Sequence, residues 1–194
     1  MITAEGLGRR FGAKRVLRGL DFEVADGGFL LVTGPNGSGK STLLALLAGL
    51  LVPTEGSLRV EFPRGRIGFL AHEPLVYPEL TPLENLDLYG RLYRVAERRE
   101  HIGALLERFG LWEARHDRVT TFSRGMQQRL ALCRTLLHEP ELFLLDEPYA
   151  GLDADASGLV DKLLSELAGD RTVVVASHHP QSLRSFATEE VALA

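Results

Sequence analysis

A chain of 194 residues with 45% hydrophobic and 25% charged side chains has the composition of one globular domain, or of one core with a small inserted subdomain. Its formal charge of −4 argues against a general binder of nucleic acid or anionic membrane, and its single cysteine, Cys133, excludes an internal disulfide framework and fits a reducing compartment. No charged-then-apolar leader opens the sequence, and the longest apolar run, Leu43 to Val52, is too short to span a bilayer. It reads as a buried helix. The chain is expected to be soluble and to meet a membrane only through a partner.

Residues 1–33 read as strands: Asp21-Phe22-Glu23-Val24 alternates polar with apolar, Asp26-Gly27-Gly28 is a turn, and Phe29 to Thr33 is a buried strand. Next comes Gly34-Pro35-Asn36-Gly37-Ser38-Gly39-Lys40-Ser41, followed by Thr42 and a helix predicted over Ser41 to Leu51. Strand, glycine-rich loop and helix form the setting in which G-x-x-x-x-G-K-[ST] cradles phosphates. The glycines let successive amides turn inward, and the helix adds its unpaired first-turn amides and the positive end of its dipole. In such a loop Lys40 reaches the β- and γ-phosphates and the Ser41 hydroxyl ligates Mg²⁺. The motif implies a bound nucleoside triphosphate.

Pro53-Thr54-Glu55-Gly56 then breaks the chain, and two strands are expected at Ser57 to Phe62 and Ile67 to Ala71, around Pro63-Arg64-Gly65. From about Leu83 to Leu137 the pattern is helical. Thr81 is the expected N-cap of the first helix, Ile102, Leu105, Leu106 and Phe109 form a stripe on the second, and Leu130 to Leu137 makes a third, stopped by His138-Glu139-Pro140. Leu142-Phe143-Leu144-Leu145 is the apolar run of a strand covered on both faces. A helix follows Asp153, then a buried strand at Thr172 to Ala176, a short helix and a weak final strand. The expected fold is α/β with parallel central strands, interrupted by a helical insertion.

Asp146-Glu147 directly follows the apolar strand. Ligands of open α/β sheets bind beyond the carboxyl ends of the strands, so both acids are expected to face the phosphates. Asp146 is placed to hold Mg²⁺ through water, and Glu147 to orient and deprotonate an attacking water. Two acids ending a buried strand are expensive as structure alone.

With the phosphate loop and Asp146-Glu147-Pro148, the segment Phe122-Ser123-Arg124-Gly125-Met126-Gln127-Gln128-Arg129 resembles the ATP-binding cassette (ABC) family. The family signature is Leu-Ser-Gly-Gly-Gln; Ser123 and Gly125 match it, while Arg124 and Met126 depart from it. The Ser-x-Gly-Met-x-Gln-Arg form resembles a variant of bacterial exporter ATPases. The resemblance implies a P-loop NTPase (RecA-like) core with an N-terminal antiparallel β region and an inserted helical subdomain. It also implies ATP and Mg²⁺ as ligands, and a signature that serves the nucleotide of a second copy in a head-to-tail pair. Ala150-Gly151-Leu152-Asp153 resembles the D-loop at that interface, although Asp153 also suits an N-cap. His178, after Ser177, resembles the switch histidine, and Phe11 the aromatic that stacks on adenine.

One departure concerns the family's Gln after the strand at Ile67 to Ala71. Here the residues are His72-Glu73-Pro74; spacing places His72 in that role, near Mg²⁺ and water, and a shift by one residue would place Glu73 there. His101, His116, His138 and His179 read as structural, and Cys133 as a buried small hydrophobe.

The resemblance covers nearly the whole chain as one cassette, with an α/β core at 1–73 and 130–194 and a helical subdomain at about 74–129. It implies the nucleotide-binding subunit of an ABC transporter, peripheral at the cytoplasmic face of the membrane, with an integral permease subunit as partner and no nucleic acid. The stretch from His72 to Leu86 most resembles the haem-exporter ATPases of cytochrome c maturation. Exporters of drugs, lipids or polysaccharide remain open, as does a non-transport ABC ATPase acting on nucleic acid or ribosomes.

Overall fold

A computed structural model of the chain describes residues 1–178 and 180–194; His179 lies outside the described residues. In chain order the elements are β1 (Ile2–Phe11), β2 (Lys14–Val24), β3 (Phe29–Thr33), α1 (Lys40–Leu47), β4 (Glu55–Val60) and β5 (Ile67–Leu70). Then follow α2 (Pro82–Leu92), α3 (Arg98–Arg108), α4 (Arg124–Leu136), β6 (Leu142–Asp146), α5 (Ala154–Leu167), β7 (Thr172–Ala176) and β8 (Glu189–Ala192). Among the described residues, β2-β1-β4 is an antiparallel sheet, and β5-β6-β7-β3-β8 is a sheet whose neighbours all pair in parallel.

The central strands are apolar throughout because both their faces are covered. Leu31, Leu70, Phe143, Leu145, Val173 and Val175 pack against the apolar stripes of α2 to α5, including Leu86, Ile102, Leu106, Leu130 and Val160. The alternating residues Leu30, Val32, Leu142, Leu144, Val174 and Ala176 point the other way, onto α1 and the antiparallel sheet. Gly56 shows how closely the antiparallel strands approach. Its φ is +69°, and a Cβ there would lie 2.2 Å from Gly6 O.

Three sequence expectations need correction. Helix α1 ends at Leu47 rather than Leu51, because Gly49 adopts φ +67° and Leu50 N returns to Ala45 O, a closing bond of the kind that terminates helices. Leu50 and Val52 are consequently exposed, not buried in a helix. Helix α4 starts at Arg124, well before the apolar run at Leu130, since its first turns are polar and capped by Ser123. After β7, residues 181–186 form successive turns rather than a helix. Thr81 caps α2 as expected: its Oγ1 accepts from Glu84 N at 3.2 Å, and Glu84 Oε2 accepts from Thr81 N at 2.8 Å.

Candidate active site

The parallel sheet delivers the carboxyl ends of β3, β5, β6 and β7 to one edge. There they line an open cleft of about 520 Å³. Its walls include Asn36, Gly37 and Gly39 from the loop after β3, Lys40, Ser41 and Thr42 from the start of α1, His72 from beyond β5, Asp146 from the end of β6, Glu147 just after it, and His178 from beyond β7. Pairing fixes the relative height of these groups: Asp146 lies opposite Ala176 in register, and Glu147 N donates to Ala176 O at 2.9 Å.

The glycine-rich loop closes around a lysine. Lys40 is buried, and its Nζ donates to Gly34 O at 2.8 Å and to Pro35 O at 3.2 Å. Gly34 has φ +143°, and a Cβ there would lie 2.5 Å from Leu193 O and 2.7 Å from Ser38 Oγ, so no side chain fits. Gly39, at φ +105°, is the N-cap of α1 and aims that helix's first amides into the cleft. The buried Ser38 hydroxyl has no hydrogen-bond partner among the described residues. A loop of inward amides, a captive ammonium and an unsatisfied hydroxyl suits the oxygen-rich, anionic groups of a polyphosphate.

The two acids differ in their surroundings. Asp146 is almost wholly buried; burial pushes its carboxyl above the ordinary carboxylate range, against the pull of the Ser41 hydroxyl bonded to it and of nearby His72 and Lys40. Glu147 gathers three nitrogens around one oxygen. Its Oε1 accepts from His178 N at 3.0 Å, lies 2.8 Å from His178 Nδ1 and is 3.8 Å from Lys40 Nζ. Glu147 also holds φ +50°, a left-handed conformation costing a non-glycine residue about 1 kcal/mol or more. The backbone stays there because Gln128 Nε2, buried on α4, donates to Glu147 O at 3.4 Å and Pro148 O at 3.3 Å.

Some expected residues stand elsewhere. Phe11 ends β1 at 46% exposure with the Arg9 guanidinium 4.6 Å from its ring centroid, and Lys14 and Val16 of β2 line the cleft instead. Ser123 and Gly125 are not among the residues lining it. Ser123 Oγ caps α4 by accepting from Met126 N at 3.2 Å, and Gly125 is pressed on Gly151 O, which a Cβ would approach to 2.8 Å. Asp153 caps α5, accepting from Ala156 N at 2.9 Å. Glu73 is exposed and does not line the cleft, whereas His72 does. Arg124 was missed as a wall of the cleft; its one signal was its presence where the signature has glycine, and its stem lies along Gly151. Lys14 gave no signal, being one surface lysine on a strand.

The profile of the ABC transporter family matches residues 17–150. The chain is 39% identical over 190 residues to the daunorubicin resistance ATP-binding protein DrrA3 of Streptomyces coeruleorubidus, covering 92% of this chain and 60% of that one. It is 37% identical over 191 residues to the cytochrome c biogenesis ATP-binding export protein CcmA of Cupriavidus necator, covering 92% and 83%. The solved dimeric structure of the ATP-binding cassette MJ0796 in a post-hydrolysis state, bound to ADP and Pi, superposes with a TM-score of 0.87 at 30% identity, covering 100% of this chain and 94% of that one. The chain belongs to the ABC transporter family. It spans about three-fifths of the length of several curated relatives.

Proposed function

We propose that the chain is the ATP-hydrolysing subunit of an ABC transporter, working as a pair of copies on a separate membrane permease. The observation that carries this is the single cleft in which a captive lysine, helix-end amides, a Ser–Asp pair and a histidine-held glutamate converge. Lys40 and the loop amides bind the β- and γ-phosphates and offset the charge that develops on transfer. Glu147 takes the proton of the attacking water, and His178 holds its carboxylate in place.

The donor set fits Mg²⁺. The Ser41 hydroxyl and Asp146 carboxylate are hard oxygens already bonded to each other, and a small octahedral cation takes its other ligands from phosphate and water. Among the described residues no cluster of three or more His, Cys, Asp or Glu forms a protein-only metal cage, consistent with a cation that arrives with its nucleotide. When bound, Mg²⁺ would neutralise phosphate charge. The His72 imidazole is a poor direct ligand for it and acts on the surrounding water.

The whole chain acts as one cassette, with the α/β core at 1–73 and 130–194 and the helical part at about 74–129 offered to the permease. No helix among the described residues is long and apolar enough to cross a membrane; on this reading the permease holds the chain at the cytoplasmic face. Ser123 and Gly125 serve the nucleotide of the second copy, which accounts for their position outside this chain's own cleft, and Asp153 lies at the same interface. Phe11, at the end of β1 and outside the cleft walls, supplies the adenine-stacking face.

The cargo is haem for cytochrome c maturation. The relative named for cytochrome c biogenesis and the His72-to-Leu86 stretch support this reading, while the relative named for daunorubicin resistance supports a drug exporter. Phosphate release from ATP by the purified chain tests the enzyme, with Lys40→Ala as the inactive control. Deletion of the gene tests the cargo. Loss of covalent haem from c-type cytochromes, with b-type proteins intact, is expected; normal c-type cytochromes would leave export of another cargo.

A further inference from the structure

Arg134 lies in the interior of α4 at 7% exposure, and among the described residues no carboxylate pairs with it. A buried guanidinium with no carboxylate partner among the described residues forfeits its hydration, and an apolar side chain would pack there more cheaply. What the arginine holds therefore needs explaining. Its Nη2 donates to Phe69 O at 2.9 Å, its Nε is buried without a partner, and its guanidinium carbon stands 5.3 Å from the centroid of the Tyr89 ring on α2. Tyr89 continues the chain of contacts, because its hydroxyl donates to Leu75 O at 2.9 Å.

The two carbonyls held in this way bracket His72. Phe69 is three residues before it and Leu75 three residues after it. Leu75 is itself kept at φ +51°, a conformation that leucine rarely adopts without restraint. Beyond it, the buried Asn85 of α2 fixes the segment further: Oδ1 accepts from Tyr77 N at 2.7 Å, and Nδ2 donates to Tyr77 O at 3.0 Å. His72 is exposed at the cleft, and among the described residues its side chain makes no hydrogen bond, so its placement depends on its backbone.

We infer that Arg134 and Tyr89 are positioning residues for His72, gripping the end of β5 at Phe69 and the loop that follows at Leu75, and tying the imidazole's place in the cleft to α2 and α4. The inference rests on the hydrolytic reading of the cleft. Because one of the pair lies on α2 and the other on the helix that begins after Ser123, a shift of either helix is transmitted to His72.

Tyr89→Phe is the discriminating variant, since it deletes one hydroxyl and keeps the ring beneath Arg134. In the full chain, kcat for ATP is expected to fall about fivefold, the loss of one hydrogen bond, with the Kd for ATP within twofold of wild type. A merely structural role would lower the thermal midpoint and act equally in any background. The variant is therefore also made in His72→Ala, where the loss of kcat should disappear if Tyr89 acts through His72. Arg134→Lys, which keeps charge but loses the planar face, should behave likewise. Equal fractional losses in both backgrounds, or an unchanged kcat in Tyr89→Phe, would overturn the inference while leaving the ATPase reading intact. Wild-type activity in His72→Ala would overturn it from the other side. Absent hydrolysis by the wild-type chain would remove the hydrolytic reading itself.

Discussion

Asp146 and Glu147 are neighbours in sequence and opposites in circumstance. Glu147 stands in a strained conformation with His178 and Lys40 at one oxygen, an arrangement suited to orienting a base. Glu147→Gln keeps a similar shape but cannot accept a proton. Hydrolysis is expected to drop by about 10²–10⁴ while ATP still binds, measured as phosphate release beside equilibrium binding. A loss of threefold or less would assign the proton to another group. Asp146 poses a stability question. Burial raises its carboxyl pKa in the folded chain, so between the ordinary and raised values the folded state binds more proton than the unfolded one. Stability is therefore lost as pH rises through that window. Asp146→Asn should raise the thermal midpoint at pH 7 and abolish hydrolysis, with the gain in midpoint shrinking on acidification below the ordinary carboxylate range. A lower midpoint at pH 7 would contradict the sign.

The elements were legible to different depths. Phe29 to Thr33, the glycine-rich loop and Leu142 to Leu145 with the acids that follow could be read directly, because each carries its signal in contiguous residues. Thr81 was legible for the same reason, with Pro82 and Glu84 completing a capping box within a single turn. Thr81→Ala should cost about 1 kcal/mol in chemical denaturation and leave ATP affinity within twofold, since α2 is absent from the cleft walls. Glu84's carboxyl is held below the ordinary range by the Thr81 amide, so its share of stability is lost only as pH falls through that lowered value. Long-range contacts left no local trace. The pairing of β1 with β4, the place of Arg124 beside Gly151 and the Arg134–Tyr89 stack each join residues far apart in the chain. The end of α1 was misread because an unbroken run of Leu and Ala suggests that the helix continues, whereas Gly49 in a left-handed conformation stops it.

At the scale of the molecule, the chain's own cleft supplies the loop, the acids and the histidines, while Ser123 and Gly125 lie outside its walls. On the proposed reading, a full site forms only when the signature of one copy covers the nucleotide of another. Mixing Lys40→Ala chains with Ser123→Arg chains should then restore one working site per mixed pair, detectable as phosphate release that neither variant shows alone. Restoration failing with both variants folded and able to pair would mean that each copy completes its own site. The most direct measurement is ATP turnover per chain as a function of protein concentration at saturating ATP, with the oligomeric state followed by analytical ultracentrifugation. Turnover is predicted to climb steeply as copies pair and then level off, and to stay at background for Lys40→Ala throughout. A constant turnover per chain from a species shown to be monomeric would contradict the two-copy mechanism.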